Sequence, residues 1–406
     1  MKVGIGYANE SDAYASGAKI AKNAIENGNI SNPNLILAFC HGNLDHVKFF
    51  AGLQSVVGET MPIIGGSAIG IIPNEVLSYS DFPAGAAIFS SDNCTYSWAC
   101  ADNIDQDEEK ATKKLAQQIA QSPNDKVLFI FYDSIKRPAT PLVPPVMNAS
   151  PLIINGIEGV LKTPVPIIGA GVIGHTDFKS TQQFSGDHVG TQNVVATMIG
   201  GDFSVYHCIM HGCKLMDGVY HTITDIEGST IRKLGDKPIV SVINTLYGNE
   251  EWQRQRPLKR LAIGVNHGEK YGSFIEEDYV NRLIMGVLPD REGIVIFEPD
   301  LKAGAQIQFM FRDAQNMYRS VREKTTKLLS KIEASGKKPC FGLYIDCAGR
   351  CAALSDTLTE EAEEVQRIMN QSKTPLFGFY SGSEIAPVRG KSRGLDWTGV
   401  LTIFAR

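Results

Sequence analysis

The sequence predicts an α/β protein of the α+β kind, with mixed β-sheets carrying helices on their outer faces, in two related lobes built from repeated strand-helix-strand-strand units. Three stretches lead there. Thr374-Pro-Leu-Phe-Gly-Phe-Tyr-Ser-Gly-Ser-Glu-Ile-Ala-Pro387 reads as a short apolar strand that breaks into a glycine turn carrying one carboxylate, Glu384. Met61-Pro-Ile-Ile-Gly-Gly-Ser-Ala-Ile-Gly70 and Val165-Pro-Ile-Ile-Gly-Ala-Gly-Val-Ile-Gly174 keep the same order of proline, two large apolar residues, glycine and small residues. Each copy follows an apolar strand and a helix and precedes another strand. That rhythm is not strict βαβ alternation, so it favours mixed sheets over a purely parallel one.

Taken in order, Val3 to Tyr7 reads as a strand, and Ala13 to Ile25 puts Ile20, Ala21, Ala24 and Ile25 on one helical face before Asn27-Gly-Asn29 closes it. Leu35 to Cys40 is a continuous apolar run, the pattern of a strand covered on both faces. A helix over Leu44 to Val56, the motif strand at Pro62 and a strand over Pro83 to Ser90 complete the first unit. The second runs from a strand at Thr95 to Ala101 through a helix at Asp107 to Gln121, with Ala111, Leu115 and Ile119 at helical spacing, to a strand at Lys126 to Tyr132. A helical stretch over Val146 to Leu161, entered through Pro144-Pro145 and interrupted at Pro151, leads to the motif at Pro166 to Gly169 and a strand at Gln192 to Ile199.

From Phe203 onward the texture becomes strands joined by glycine turns: Tyr206 to Met210, Tyr220 to Ile226, the hairpin turn Glu227-Gly228-Ser229 and Thr230 to Leu234. This change places a domain boundary near residue 225, giving domains 1–225 and 226–406. Gly264 to Tyr271 reads as a polar loop, Glu276 to Met285 as a helix, Gly293 to Phe297 and Ala305 to Phe311 as strands, and Ala314 to Glu333 as a long helix. The last unit comprises a strand over Cys340 to Cys347, a charged helix over Thr359 to Asn370, the motif, and a strand over Trp397 to Ala405.

A chain of 406 residues exceeds what one hydrophobic core usually serves, so two domains are expected. A net charge of −5 supplies no attraction to nucleic acid or to an anionic membrane surface. No apolar run approaches a bilayer span, and Met1-Lys-Val-Gly-Ile-Gly-Tyr7 reads as a strand rather than a secretory signal. A soluble, cytoplasmic protein without membrane insertion is the expectation. The eight cysteines fall mostly singly inside apolar runs (Cys40, Cys94, Cys100, Cys208, Cys340), which suits buried, reduced thiols better than a disulfide framework.

Three C-terminal features, Asp346-Cys-Ala-Gly-Arg350, Gly378-Phe-Tyr-Ser-Gly-Ser-Glu-Ile-Ala-Pro387 and Thr398-Gly-Val-Leu-Thr402, carry a family resemblance. Leu35 to Phe39, Pro62-Ile-Ile-Gly-Gly-Ser67 and the hairpin Thr224 to Leu234 carry it in the N-terminal half. On these residues the chain resembles the FIST proteins, a sensory family with paired N- and C-terminal FIST domains. The resemblance implies an intracellular small-ligand sensor of signal transduction, binding an amino acid or similar polar metabolite. Some members of the family are similar to haem-binding gas sensors, which makes a haem or metal sensor the alternative. One departure is Gly70-Ile71, where the family often has a Gly-Glu pair. No kinase, cyclase, receptor or F-box segment accompanies the motifs, so a separate signalling protein is the expected output partner.

Among residues able to carry chemistry, Arg350 and Glu384 each follow a strand of the last unit. Sheet pairing would bring those strand ends to one edge, where a guanidinium and a carboxylate match the two charged ends of a free amino acid. The competing arrangement is that the two simply pair with each other. The turns Gly65-Gly66-Ser67, Gly169-Ala170-Gly171 and Ser381-Gly382-Ser383 lack bulk, so their backbone N–H groups would approach a ligand oxygen closely, with Ser67, Ser381 and Ser383 as hydrogen-bonding neighbours. No Gly-Lys-Ser/Thr follows any of them, which argues against a phosphate loop. His175, just past the second turn, would line the same pocket.

His207, Cys208, His211 and Cys213 put four donor residues within seven positions, the donor types that a metal ion or haem needs, although the spacing matches no standard zinc motif. No cofactor is therefore predicted, with haem kept as the alternative. Cys347, near Arg350, is the candidate thiol of an enzyme reading, because a neighbouring guanidinium lowers a thiol pKa. No partner base is identifiable for it in sequence.

Overall fold

A computed structural model describes residues 1–138, 145–355 and 357–406; Pro144 lies outside them. The first unit comprises β1 (Lys2–Asn9), α1 (Ala13–Gly28), β2 (Leu35–His41), α2 (His46–Val57), β3 (Ile63–Ala68) and β4 (Pro83–Ser90). Asp12 and Asp45 cap the two helices, each carboxylate accepting a backbone N–H at 3.0 Å, and Asn29 ends α1 in the left-handed conformation with φ 45°. The second unit comprises β5 (Cys94–Ala101), α3 (Glu108–Gln118), β6 (Asp125–Asp133), α4 (Ser150–Glu158), β7 (Ile167–Val172), β8 (Gln183–Gly186) and β9 (Val194–Gly201). Pro151 lies in the first turn of α4, where no intrahelical N–H is needed, so it starts the helix rather than interrupting it.

The third unit opens with β10 (Ser204–Met210) and resumes with α6 (Ala314–Ala334) after an inserted body. The insertion comprises β11 (His221–Glu227), β12 (Thr230–Leu234), α5 (Ile239–Tyr247), β13 (Leu261–Asn266), β14 (Tyr279–Val287), β15 (Ile294–Ile296) and β16 (Gln306–Phe311). These strands pair in the order β16-β11-β12-β15-β14-β13, and β13 pairs back onto β16, so the sheet closes around Ile223, Ile263, Ile284 and Phe309. Closure leaves the small sheet without a free edge. Beyond α6 follow β17 (Pro339–Cys347), α7 (Ala362–Gln371), β18 (Leu376–Ser381), β19 (Ser383–Val388), β20 (Lys391–Leu395) and β21 (Gly399–Ala405).

One strand order recurs in three other sheets: β1-β4-β2-β3, β5-β9-β6-β7 and β10-β21-β17-β18. In each, the last two strands of that order, joined through a helix, run parallel, with Ile36 opposite Ile63, Leu128 opposite Ile167, and Gly342 opposite Leu376. Each motif strand is then extended by chain from another unit. β8 pairs with β3, β19 pairs with β7, and Ile71 bridges to Phe379 of β18. The period-two alternation of β2 explains the layering: Leu37 and Phe39 face a core shared with Phe131, Ile345 and Phe379, while Ile36, Ala38 and Cys40 face α1 and α2. Phe39 stacks on Phe379 at 3.7 Å and meets Phe131 edge-on at 5.1 Å. Helices cover the outward faces, as expected.

Two expectations change. Glu276 to Met285 is not a helix: Glu276–Asp278 makes a single 3-10 turn, and Tyr279 onward is the strand β14, buried almost throughout. The acidic triplet imitates a helix start, but a run with both faces covered suits a strand better. The supposed glycine turns at Gly65-Gly66-Ser67 and Gly169-Ala170-Gly171 lie inside β3 and β7. Gly65 and Gly66 have φ of 141° and 151°, and a Cβ there would stand 2.0 Å from the Ala38 carbonyl oxygen and 2.4 Å from that of Gln182. Close packing of backbone on backbone is what these glycines permit. The polar loop at Gly264 to Tyr271 begins only after β13 ends at Asn266, and α5 is a helix that the pattern did not suggest.

Candidate functional site

The last unit does bring Arg350 and Glu384 to one end of a sheet, because β17 and β18 run parallel with Cys347 opposite Ser381. They do not pair with each other. Arg350 is fully buried; its Nε donates to Asp346 Oδ1 at 2.9 Å, its Nη1 to the Trp397 and His211 carbonyls at 3.0 and 3.2 Å, and its Nη2 meets Glu361. Burial and the like charge of Glu361 push Asp346 above the carboxylate range, against the pull of the guanidinium. Glu384 is equally buried, and burial raises its pKa well above that of a free carboxyl. Its Oε1 lies 2.7 Å from Ser381 Oγ, which lies 3.0 Å from the Asp346 carbonyl. Ser381 Oγ donates to Glu384 Oε1, and the Thr398 N–H reaches the other carboxyl oxygen at 3.4 Å.

The other predicted positions fall into two groups. Gly171, Gly382 and Ser383 converge where β19 joins β7: the Gly382 N–H donates to the Gly171 carbonyl at 2.8 Å, and Ser383 Oγ shares a 2.7 Å hydrogen bond with Tyr132. Gly169 sits two residues earlier in the same register, opposite Ile385. Gly65, Gly66, Ser67 and His175 belong to the other group, at the end of β3. Ser67 Oγ donates to His46 Nε2 at 2.8 Å and accepts the Gln182 N–H at 2.9 Å, while His46 Nδ1 donates to the Leu44 carbonyl. His175 stands edge-on to His41 at 5.6 Å, and burial together with His175 lowers His41 to about 4. Cys347 is raised by burial and by Glu384 rather than lowered, so Arg350 does not make it a reactive thiolate. Among the described residues, no group of three or more His, Cys, Asp or Glu is placed to hold a metal ion.

None of these positions lines a cleft of 790 Å³ on another part of the molecule. Its apolar base is Val165, Ile167, Ile209 and Leu328, and charged side chains from α6 and the β19–β20 hairpin stand around it. Lys324, Lys327 and Lys331 recur at three and four residues, which places them on one face of α6. Lys324 is ion-paired with Glu277, and Arg389 Nε donates to Asp278 Oδ1 at 2.6 Å with a second contact beside it. Lys327 and Lys331 have no carboxylate partner among the described residues, and Glu158, on the opposite end of the sequence lining, has no lysine or arginine in hydrogen-bonding contact. His207 enters here rather than in a metal site: its Nε2 donates to the Pro387 carbonyl at 3.1 Å, and burial lowers its pKa, leaving a neutral ring with an acceptor nitrogen.

The lysine spacing was visible in sequence; what it faced was not. Residues 158–167, 207–209, 324–331 and 387–392 meet only through the fold. Such a cleft, apolar below with a few convergent polar groups, has the form of a small-molecule site.

The chain is similar to an uncharacterized protein of Mycobacterium tuberculosis strain H37Rv, 25% identical over 248 residues, which are 60% of this chain and 63% of that protein. It is also similar to an uncharacterized protein of Mycobacterium bovis, 24% identical over 239 residues, or 59% and 60% of the two chains. These matches span less than two thirds of either relative's length. Among solved structures, a cyanuric acid hydrolase from A. caulinodans aligns over 99% of this chain and 98% of its own, at 9% identity and a TM-score of 0.35. PurLQS from Thermotoga maritima aligns over 99% and 72%, at 9% identity and a TM-score of 0.23. Likenesses of that size say nothing about activity here. The FIST N domain matches residues 34–237 and the FIST C domain residues 240–387, so the chain belongs to the FIST family of signal-transduction sensor domains.

Proposed function

We propose that the protein is a small-ligand sensor and that its ligand, an amino acid or a similar polar metabolite, occupies the 790 Å³ cleft. The observation that carries this reading is the origin of the walls. Ile167 and His207 lie in the FIST N match, Lys324 and Pro387 in the FIST C match. A guest in contact with both favours one arrangement of the two over any other, which is the physical content of sensing. Unpaired Lys327 and Lys331 suit a carboxylate, and Glu158 suits an ammonium. Arg350 and Glu384, whose charges are answered inside the protein, hold the neighbouring strands instead. The signal passes to a separate protein in the cytoplasm.

Native mass spectrometry of the chain purified from its own cells tests this. The expected result is a co-purifying small molecule that is absent from the Lys327→Ala/Lys331→Ala variant. Retention at full occupancy in that variant moves the ligand elsewhere. A preparation with no bound molecule, whose melting temperature is unmoved by any proteinogenic amino acid or dicarboxylate, removes the reading altogether.

A further inference from the structure

A second, smaller pocket of 270 Å³ shares Ser392 with the cleft but is built from other side chains. We propose that it is a binding site for a small oxyanion, phosphate or carboxylate, held by Arg393 and Lys391 beside the Asp300-paired Arg282. The charges in it do not balance. Arg282, on β14, is fully answered: its Nε donates to Asp300 Oδ1 at 2.7 Å, its Nη2 meets the other Asp300 oxygen, and its Nη1 donates to the Asn281 and Gly394 carbonyls at 2.7 and 3.1 Å. Asp300 is the pocket's only acidic lining residue among those described, and it is spent on Arg282. Arg393 makes no side-chain hydrogen bond to a carboxylate or carbonyl among the described residues, its Nε is buried without an acceptor, and Asp300 and Glu158 act on its charge only through space. Lys391, also lining the pocket, adds a further cation with no ion pair among the described residues.

Geometry makes this more than a loose surface charge. Arg393 sits on β20, opposite Ala386 of β19, so the guanidinium is carried by a paired strand rather than a loop. A half-buried guanidinium without an acceptor is costly, and a planar donor fork matches the oxygens of a phosphate or carboxylate. Pro151, Ile154 and Leu301 supply an apolar wall, and the volume admits a small anion rather than a nucleotide-sized ligand. His267 reports on the vacancy of charge: burial first, then Arg393 and Arg282, lower it to about 4, against the weaker pull of Asp300 and Asp278. An anion placed between the two guanidinium groups opposes their effect and raises the His267 pKa.

The probe is inorganic phosphate, with succinate as the carboxylate arm, titrated calorimetrically into the full chain at low ionic strength. The expectation is saturable one-to-one binding of at least one of them, weakened ten-fold or more by Arg393→Gln and several-fold by Lys391→Ala. Lys327→Ala, in the separate cleft, leaves it within two-fold, so the outcome is independent of the sensor reading above. In the unmutated protein, the His267 imidazole, followed by NMR, is expected to titrate at least half a pH unit higher with the anion bound; this readout stands even if Arg393→Gln does not fold. Binding of succinate but not phosphate assigns the site to carboxylates, and the reverse to phosphate. Neither anion binding, or both binding equally well in Arg393→Gln with an unmoved His267, overturns the proposal.

Discussion

The buried end of β17 and β18 and the cleft beside α6 are both rich in charge, yet they treat it oppositely. Around Arg350 the protein supplies its own answer to each charge: Asp346, Glu361 and two carbonyls occupy the guanidinium, and Ser381 occupies Glu384. Around α6, two lysines have no carboxylate partner among the described residues and stand above an apolar base. A buried charge has to be paired to exist at all, whereas a charge at the rim of a cavity stays hydrated and available. The lesson is that charge which is free to meet a ligand is found where the protein has not already spent it.

The sharpest way to break this contrast is to remove the buried cation. Arg350→Ala strands Asp346 and Glu361 in the interior and is expected to cost about 3–5 kcal/mol in urea denaturation; a loss below about 1 kcal/mol, typical of an exposed pair, would erase the distinction. Next comes Gly169→Ala, which places a Cβ 1.8 Å from the Ile130 carbonyl oxygen. It is expected to cost about 1–3 kcal/mol and lower the melting temperature, because the β6–β7 backbones have no room to part. An unchanged melting temperature would mean that the glycine serves something other than packing.

A third test uses pH. Glu298 and Asp396 are fully buried, and burial, with Asp396 as the next cause, raises Glu298 to about 8 from an ordinary 4.5. A group whose folded pKa is raised contributes stability that is complete below its unfolded pKa and is lost as pH rises through the folded one. Wild type should therefore weaken between pH 5 and 9 more steeply than Glu298→Gln, in which Asp396, raised to about 7, still titrates, the gap widening by about 1–2 kcal/mol in favour of the variant. A gap that stays flat with pH would show that Glu298 is ionised throughout. The smallest effect belongs to the cleft: after burial, Lys331 also depresses the His207 pKa, so Lys331→Ala should raise it in an NMR titration. No movement would separate the two groups and loosen the picture of a shared cationic rim.

Much of the fold was legible because strand-length apolar runs and helical spacing survive any context. Leu35 to Cys40 and Pro83 to Ser90 read as strands and are strands. Other readings failed for reasons that local pattern does not carry. Glu276-Glu277-Asp278 has the composition of a helix start, yet β14 is set by neighbours on both sides. Ile239 to Tyr247 is rich in β-branched residues, the composition of a strand, yet it folds as α5. Glycine pairs looked like turns because nothing in sequence reveals that Ala38 and Gln182 pass within reach. Arg350 and Glu384 were correctly brought to one sheet end, but Glu361 and Thr398, which engage them, come from other segments.

Sequence alone determined the alternation of strands and helices, the recurrence of the proline-glycine motif and membership of the FIST family, since each depends on residues close together along the chain. Tertiary structure alone decided which charges are answered and which stand open, because an ion's fate depends on the dielectric and the partners around it. Those partners are assembled from segments hundreds of residues apart, as the cleft lining from Glu158 to Ser392 makes plain.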